Sequence, residues 1–377
     1  MTTRTSIPPM PEITTRTGAV LSERRSPLDA EDLRARVQKV LDEFLTRQVA
    51  VLDDVSGDVG PLVETLTDLL AGGKRLRPAF CYWGWRGAGA ADDAAIVTAA
   101  TALELLQACA LIHDDVMDGS DTRRGLPSAH RRFATLHQLG GWRGSAERFG
   151  TGAAILLGDL CLSWTDELLY GSGLPAAALA RGKPILDRMR TELMAGQYLD
   201  LLEQSIASDS VERALRVIRF KSAKYTIEAP LHLGARLAGA GPDLLACYSA
   251  FGLPLGEAFQ LRDDLLGVFG DPSETGKPAG DDLREGKRTV LIAIAVGRAT
   301  RAQADVIQSH LGDDDLDTDG VALLRSVLEE TGARDEVESL IATNAAQAVA
   351  ALDTTMIDEP AREVLRALAH AATSRSV

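Results

Sequence analysis

The stretch LIHDDVMDGSDTRRG, Leu111 to Gly125, carries three carboxylates within about one helical turn, at Asp114, Asp115 and Asp118. Helical side chains four apart share a face, so Asp114 and Asp118 project together. Two carboxylates so placed repel each other unless a cation lies between them, and a helix C-terminus adds to the cost. Hard oxygen ligands of this kind suit magnesium, which keeps several waters and bridges to substrate phosphates. Arg123 and Arg124 follow closely, and guanidinium forks match phosphate oxygens. Together these residues describe a diphosphate site. The bland alternative is a solvated acidic helix end, with Asp121 paired to the arginines. The apolar run before Asp114 argues against it.

A second stretch, FQLRDDLLGVFGD, repeats the acid pair at Asp263 and Asp264, with Gln260 before it. Where the first stretch has Asp118, this one has Gly267. GGKRLRP, Gly72 to Pro78, sets Lys74, Arg75 and Arg77 at a helix start, where backbone N–H groups and cations cradle phosphate. It lacks the GxxxxGK[ST] spacing of a P-loop. GQYLD adds Gln197 and Asp200, RFKSAKYT adds Lys221, Ser222 and Lys224, and Lys277, Asp282 and Lys287 lie downstream. Polar groups on apolar helices are costly without partners, and a magnesium–diphosphate cluster would partner them together. For Lys224 and Lys287 a solvated face serves equally well as a reading.

These residues need helices to carry them. Ser26 to Gln48 opens with Ser, Pro and Asp and then sets Leu33, Val37, Val40, Leu41 and Phe44 at helical spacing. Ala94 to Met117 is apolar almost all round, as a buried central helix is. Further helices are expected over residues 147–169, 174–204, 210–228, 242–268, 289–296, 302–311, 320–331, 334–352 and 360–371. No strand alternation and no repeat emerges. The 377 residues are 45% hydrophobic and only 5% aromatic. They read as one all-α domain over residues 28–373, behind a disordered tail at 1–27. The long polar segment Gly270–Thr289 reads as a functional loop. A net charge of −14 disfavours nucleic acid as a partner. No uninterrupted apolar run reaches the roughly 18 residues of a spanning helix, and no stable membrane insertion is expected. Cys81, Cys109, Cys161 and Cys247 form no CxxC pair. They read as reduced thiols of a cytoplasmic protein rather than as zinc ligands.

Six motifs in order, from GGKRLRP through LIHDDVMDGSDTRRG, GQYLD and KSAKYT to FQLRDDLLGVFGD and GKPAGDDLREGKRT, resemble the trans-isoprenyl diphosphate synthases, with the flavour of actinobacterial geranylgeranyl diphosphate synthases. The resemblance implies a single-domain helical bundle around a deep central apolar cavity, and a homodimer. It implies isopentenyl diphosphate and an allylic diphosphate as substrates, and three magnesium ions held with the bound diphosphate. By position, Asp114, Asp115 and Asp118 would bind metal on one wall, and Asp263 with Asp264 on the other. Arg123, Lys221, Gln260 and Lys277 would contact the allylic diphosphate, and Ser222 and Lys287 would also bind substrate. Lys74, Arg77, Gln107 and Arg124 would hold isopentenyl diphosphate. The implied reaction ionises the allylic C–O bond, the isopentenyl double bond attacks the cation, and the departing diphosphate takes the proton. No protein base is needed, and His113 reads as structural.

The growing chain would run down the helix below Asp114. Short-chain relatives block it with aromatics at positions here held by Cys109 and Ala110; Leu106 and Leu103 lie below. The absence of a floor predicts a product longer than farnesyl, with geranylgeranyl favoured, and makes Cys109→Phe the natural test. A class I terpene cyclase is the first rival, but the only asparagine is Asn344, outside any second metal motif. A weakly active subunit of a heteromeric synthase is the second, and Gly267 points its way. On the main reading water or Asp282 fills the gap at Gly267, and Gly267→Asp is tolerated.

Overall fold

The computed structural model describes residues 26–270, 280–313 and 315–373. The main helices are α1 (Leu33–Asp53), α2 (Gly60–Leu70), α3 (Leu76–Arg86), α4 (Ala94–Met117), α5 (Ala129–Leu139), α6 (Ala146–Tyr170), α7 (Ala176–Ser205), α8 (Val211–Val217), α9 (Ala229–Ala238) and α10 (Pro242–Phe269). After them come α11 (Asp281–Arg284), α12 (Val290–Arg298), α13 (Arg301–His310), α14 (Thr318–Glu330), α15 (Ala333–Ala351) and α16 (Ala361–Thr373). The expected all-α class holds. A two-residue antiparallel pair, β1 (Thr122–Arg123) and β2 (Leu126–Pro127), is an addition to it. Four helices went unanticipated: α2, α5, α9 and the short α11, which lies inside the segment read as a loop. Ser26 caps the turn at Pro27–Asp32 ahead of α1, and residues 1–25 of the expected tail lie outside the described residues.

Capping side chains fix several starts. Asp93 accepts from Ala95 N at the head of α4, Ser145 from Arg148 N at α6, and Thr289 from Ile292 N at α12. Each satisfies a backbone donor that the first turn leaves open. Helix α4 packs on α6 and α3, α3 on α9, and α10 on α15. By length and composition α4 alone among the described helices is apolar enough to cross a membrane, yet 72% of its most apolar stretch is buried within the protein. It is the core helix of the bundle. One buried cluster gathers α1, α3, α4, α6, α9 and the first half of α10, including Phe44, Trp83 and Phe251. A second gathers the rest of α10, from Ala258 to Val268, with α12, α14 and α15. Helix α10 therefore runs through both. The four cysteines are free thiols, and Cys81, Cys109 and Cys161 are buried.

Candidate active site

The ends of the long helices meet around a cavity of about 1030 Å³, with charged residues along part of its wall and Leu76, Ala110, Leu193, Ile218 and Phe259 among its apolar lining. Between α8 and α9, residues Ile218–Glu228 wind as a π-helix. Such wide turns are rare and gather at functional sites. This one is gripped from both sides. A Cβ on Gly196 of α7 would stand 2.6 Å from Lys221 N, and one on Gly256 of α10 would stand 2.5 Å from Ala223 Cα. The backbones approach too closely for any side chain. The wide turn sends Lys221, Ser222, Tyr225 and Thr226 into the cavity lining together.

At the mouth, Lys221 Nζ donates to Asp200 at 2.6 Å and to Asp114 at 3.2 Å. Burial would raise the Asp114 pKa, but Lys221, Lys287 and Arg123 outweigh it and hold the carboxyl below its usual range. Asp118 is the opposite case. Burial, and then the charge of Asp114, push it up to about 7. Its side chain is 3% exposed, its Oδ1 has no partner, and Lys287 Nζ stands 4.0 Å from its Oδ2. A buried carboxylate oxygen left without a donor is costly, and a divalent cation with hard oxygen preference would remove the cost. Of the three first-motif acids Asp114 alone is part of the cavity lining, and Asp118 and Asp115 are not. Asp115 is engaged elsewhere. It is buried and accepts from Arg123 Nε at 2.8 Å. In this structure Asp115 anchors Arg123, and its role toward a metal stays an expectation.

On the opposite wall α10 places Gln260, Asp263 and Asp264 along the cavity. Gln260 Nε2 donates to Asp264 Oδ1 at 2.8 Å, and burial lifts the Asp264 pKa to about 7. Like Asp118, Asp264 is a buried carboxyl whose ionised form a cation at the mouth would favour. Its proton also makes a stability prediction. A pKa raised from 3.8 to about 7 stabilises the fold fully below pH 4, and that contribution is lost as pH rises to 7. Asp264→Asn is therefore expected to stabilise the metal-free protein by about 1–3 kcal/mol at pH 8 and not at pH 4. Chemical denaturation at both pH values measures it, and equal effects at the two would refute it.

The basic end is arranged by α3 and the β1–β2 turn. Lys74, Arg77, Gln107 and Arg124 all line the cavity. Arg77 Nη2 donates to Thr226 at 2.8 Å, and its guanidinium lies 4.2 Å from the Tyr225 ring centroid. Arg124 Nη1 donates to the carbonyls of Leu69 and Gly72. Burial, and beyond it the charges of Arg75, Arg123 and Arg77, depress the Arg124 pKa against the pull of Glu104. Cations crowded in this way are relieved by an anion. Gln107 Oε1 and Gln197 Nε2 are buried at the cavity without partners. Arg75 departs from expectation. Its backbone is left-handed at φ +56°, and although it touches the cavity its buried side chain is paired with Glu104, another lining residue.

Of the other expected residues, Ser222 and Lys287 line the cavity, whereas Lys224 pairs with Glu192 outside it. Lys277 lies outside the described residues. His113 is structural: its Nε2 sits 3.1 Å from the Ile155 carbonyl, over Gly158. Among the three chain-length positions only Ala110 lines the cavity. Cys109 and Leu106 are packed in the core, with Cys109 Sγ 3.8 Å from His113 Nδ1. Tyr225 and Thr226 were not anticipated. A one-residue change of helical register decides that they face inward, and the sequence carries no mark of it. Among the described residues no three carboxylates or other ligating side chains converge on one point. The donor set fits a cation that takes part of its shell from water and substrate phosphate, as magnesium does.

A model of the polyprenyl synthetase family matches residues 60–328. A geranylgeranyl pyrophosphate synthase from Corynebacterium glutamicum, solved with isoprenyl diphosphate and magnesium, superposes with a TM-score of 0.88 at 43% identity, covering 91% of this chain and 99% of that one. A geranylfarnesyl diphosphate synthase of Aeropyrum pernix is 34% identical over 274 residues, 71% of this chain and 79% of the relative. An octaprenyl diphosphate synthase of Escherichia coli is 31% identical over 331 residues, 86% of this chain and 94% of the relative. The chain belongs to the polyprenyl synthetase family. It is a prenyltransferase of the trans-isoprenyl diphosphate synthase class. The relatives are named for three product lengths, so kinship does not choose among them.

Proposed function

We propose that this chain condenses isopentenyl diphosphate with a dimethylallyl, geranyl or farnesyl diphosphate primer and releases chiefly geranylgeranyl diphosphate. The observation that carries the reading is one cavity lined at once by Asp114, Lys221, Asp263 and Lys287, by Lys74, Arg77 and Arg124, and by apolar side chains. Asp114, Asp118 and Asp263 hold magnesium, with Asp115 and Asp264 in support. Bound magnesium, three ions in the full complex, supplies positive charge against the leaving diphosphate. Arg123, Lys221, Ser222, Gln260 and Lys287 orient the allylic diphosphate, together with Lys277, which is assigned on resemblance alone. Lys74, Arg77, Gln107 and Arg124 hold the isopentenyl diphosphate so that its double bond faces the ionising carbon. The apolar wall below Asp114 excludes water from the allylic cation, and the proton leaves on the departing diphosphate.

Residues 28–373 act as one catalytic unit, in a cytoplasmic homodimer. Exposed Ile155 and Leu156 on α6 and Met194 and Tyr198 on α7 supply apolar surface for a second copy. The small Ala110 one turn below Asp114 supports a chain longer than farnesyl. The test is incubation with magnesium, isopentenyl diphosphate and each primer, followed by mass spectrometry of the products. A twenty-carbon product is expected. A fifteen-carbon or much longer product overturns the length. Turnover only after mixing with a second protein favours the weak-subunit reading, and hydrocarbon formed from geranylgeranyl diphosphate alone favours a cyclase.

A further inference from the structure

Gly267 stands where the first motif has its third acid. Its space is not vacant. A Cβ built on Gly267 would lie 1.9 Å from Asp282 Oδ2 and 2.7 Å from Asp282 Cγ. The carboxylate of Asp282, delivered by α11 fifteen positions later in the chain, occupies the volume that any side chain at 267 would need. Asp282 lines the same cavity as Asp263 and is 13% exposed. Lys287 Nζ donates to it at 3.2 Å and also stands 4.0 Å from Asp118, whose Oδ1 is buried and without a partner. Asp282, Lys287 and Asp118 thus form a line of charge across the mouth, from the second wall to the first.

We propose that Asp282 is the second wall's cation-directed carboxylate opposite Asp118, and that glycine at 267 is the condition for its placement. The proposal rests on the magnesium reading above. It makes the glycine a gain of room rather than a lost ligand. It also changes what an acid at 267 would do. Gly267→Asp must first evict the Asp282 carboxylate from its place beside Lys287, so simple tolerance is no longer the expectation.

The test reads metal binding rather than turnover. Mn²⁺ is titrated into the full-length protein with inorganic pyrophosphate present, and bound metal is followed by electron paramagnetic resonance. Asp282→Asn removes the charge and keeps the shape. Gly267→Ala adds no charge but fills the slot. Each is expected to weaken Mn²⁺ binding about tenfold, the low end of the range for groups that support a metal site. The double variant Gly267→Ala/Asp282→Asn is expected to bind no worse than either single variant, because both act through one carboxylate. Additive losses overturn the proposal. So does unchanged affinity in Asp282→Asn when Asp114→Asn has lost binding. If Asp114→Asn also binds Mn²⁺ normally, the metal reading of the whole mouth falls first. Should Gly267→Ala fold poorly, the affinity of Asp282→Asn alone decides between the outcomes.

Discussion

Asp114→Asn is expected to lower kcat/KM by about 10²–10³-fold, the usual loss when one preorganised electrostatic contact to developing charge is removed. Three features of the site combine in that figure. Asp114 is the first-motif acid that lines the cavity and is held ionised by Lys221, Lys287 and Arg123. On the proposed assignment its loss removes a charge that holds the cation, and it also frees Lys221 from one of its two carboxylate partners. Asparagine keeps the shape and leaves Asp200 to hold Lys221, so the fold should survive with little change in melting temperature. Steady-state kinetics beside a thermal melt separates the outcomes. A folded Asp114→Asn variant with near-normal turnover would remove the first motif from the reaction.

Ala110→Phe is expected to shorten the main product by at least one isoprene unit. Side chains on a helix lean toward its N-terminus, so a phenyl ring at 110 covers the cavity wall roughly 6 Å or more below Asp114. That is about one isoprene unit beneath the anchored diphosphate. Cys109→Phe is the informative contrast. Cys109 is 4% exposed and faces His113 in the core, away from the cavity lining. An added ring there overpacks the α4–α6 contact, at a typical cost of about 1–3 kcal/mol, and should leave product length unchanged. Product analysis of both variants checks the pair. A shortened product from Cys109→Phe with none from Ala110→Phe would reverse the assignment of the two faces.

That reversal of emphasis between neighbours marks how far the sequence could be read. The acid pairs were legible because helical spacing alone sets Asp114 and Asp118 on one face and crowds like charges there. The long helices were legible from their apolar periodicity. Which neighbour faces the cavity was not, because α4 is buried nearly all round and its pattern has no polar side to orient it. The π-helix was invisible for a related reason: its own residues do not announce it, and the glycines that let α7 and α10 approach it closely, Gly196 and Gly256, lie on other helices. Arg75 read as one of three equivalent cations until its left-handed backbone turned it toward Glu104. Asp282 was named as one candidate to fill the gap beside Gly267, but only the packing of α11 on α10 placed its carboxylate in the slot.

The lysines at the mouth have a thermodynamic consequence. Lys221 and Lys287 are paired with carboxylates of both walls, so on the proposed assignment a diphosphate and a cation each find their partners already engaged with one another. A diphosphate drawing the ammonium groups to itself releases carboxylates for the cation, and the cation releases ammonium groups for the diphosphate. Each ligand therefore strengthens the other, and by reciprocity the two enhancements are equal. Such a site takes up its two ligands as a pair and discriminates against either one alone.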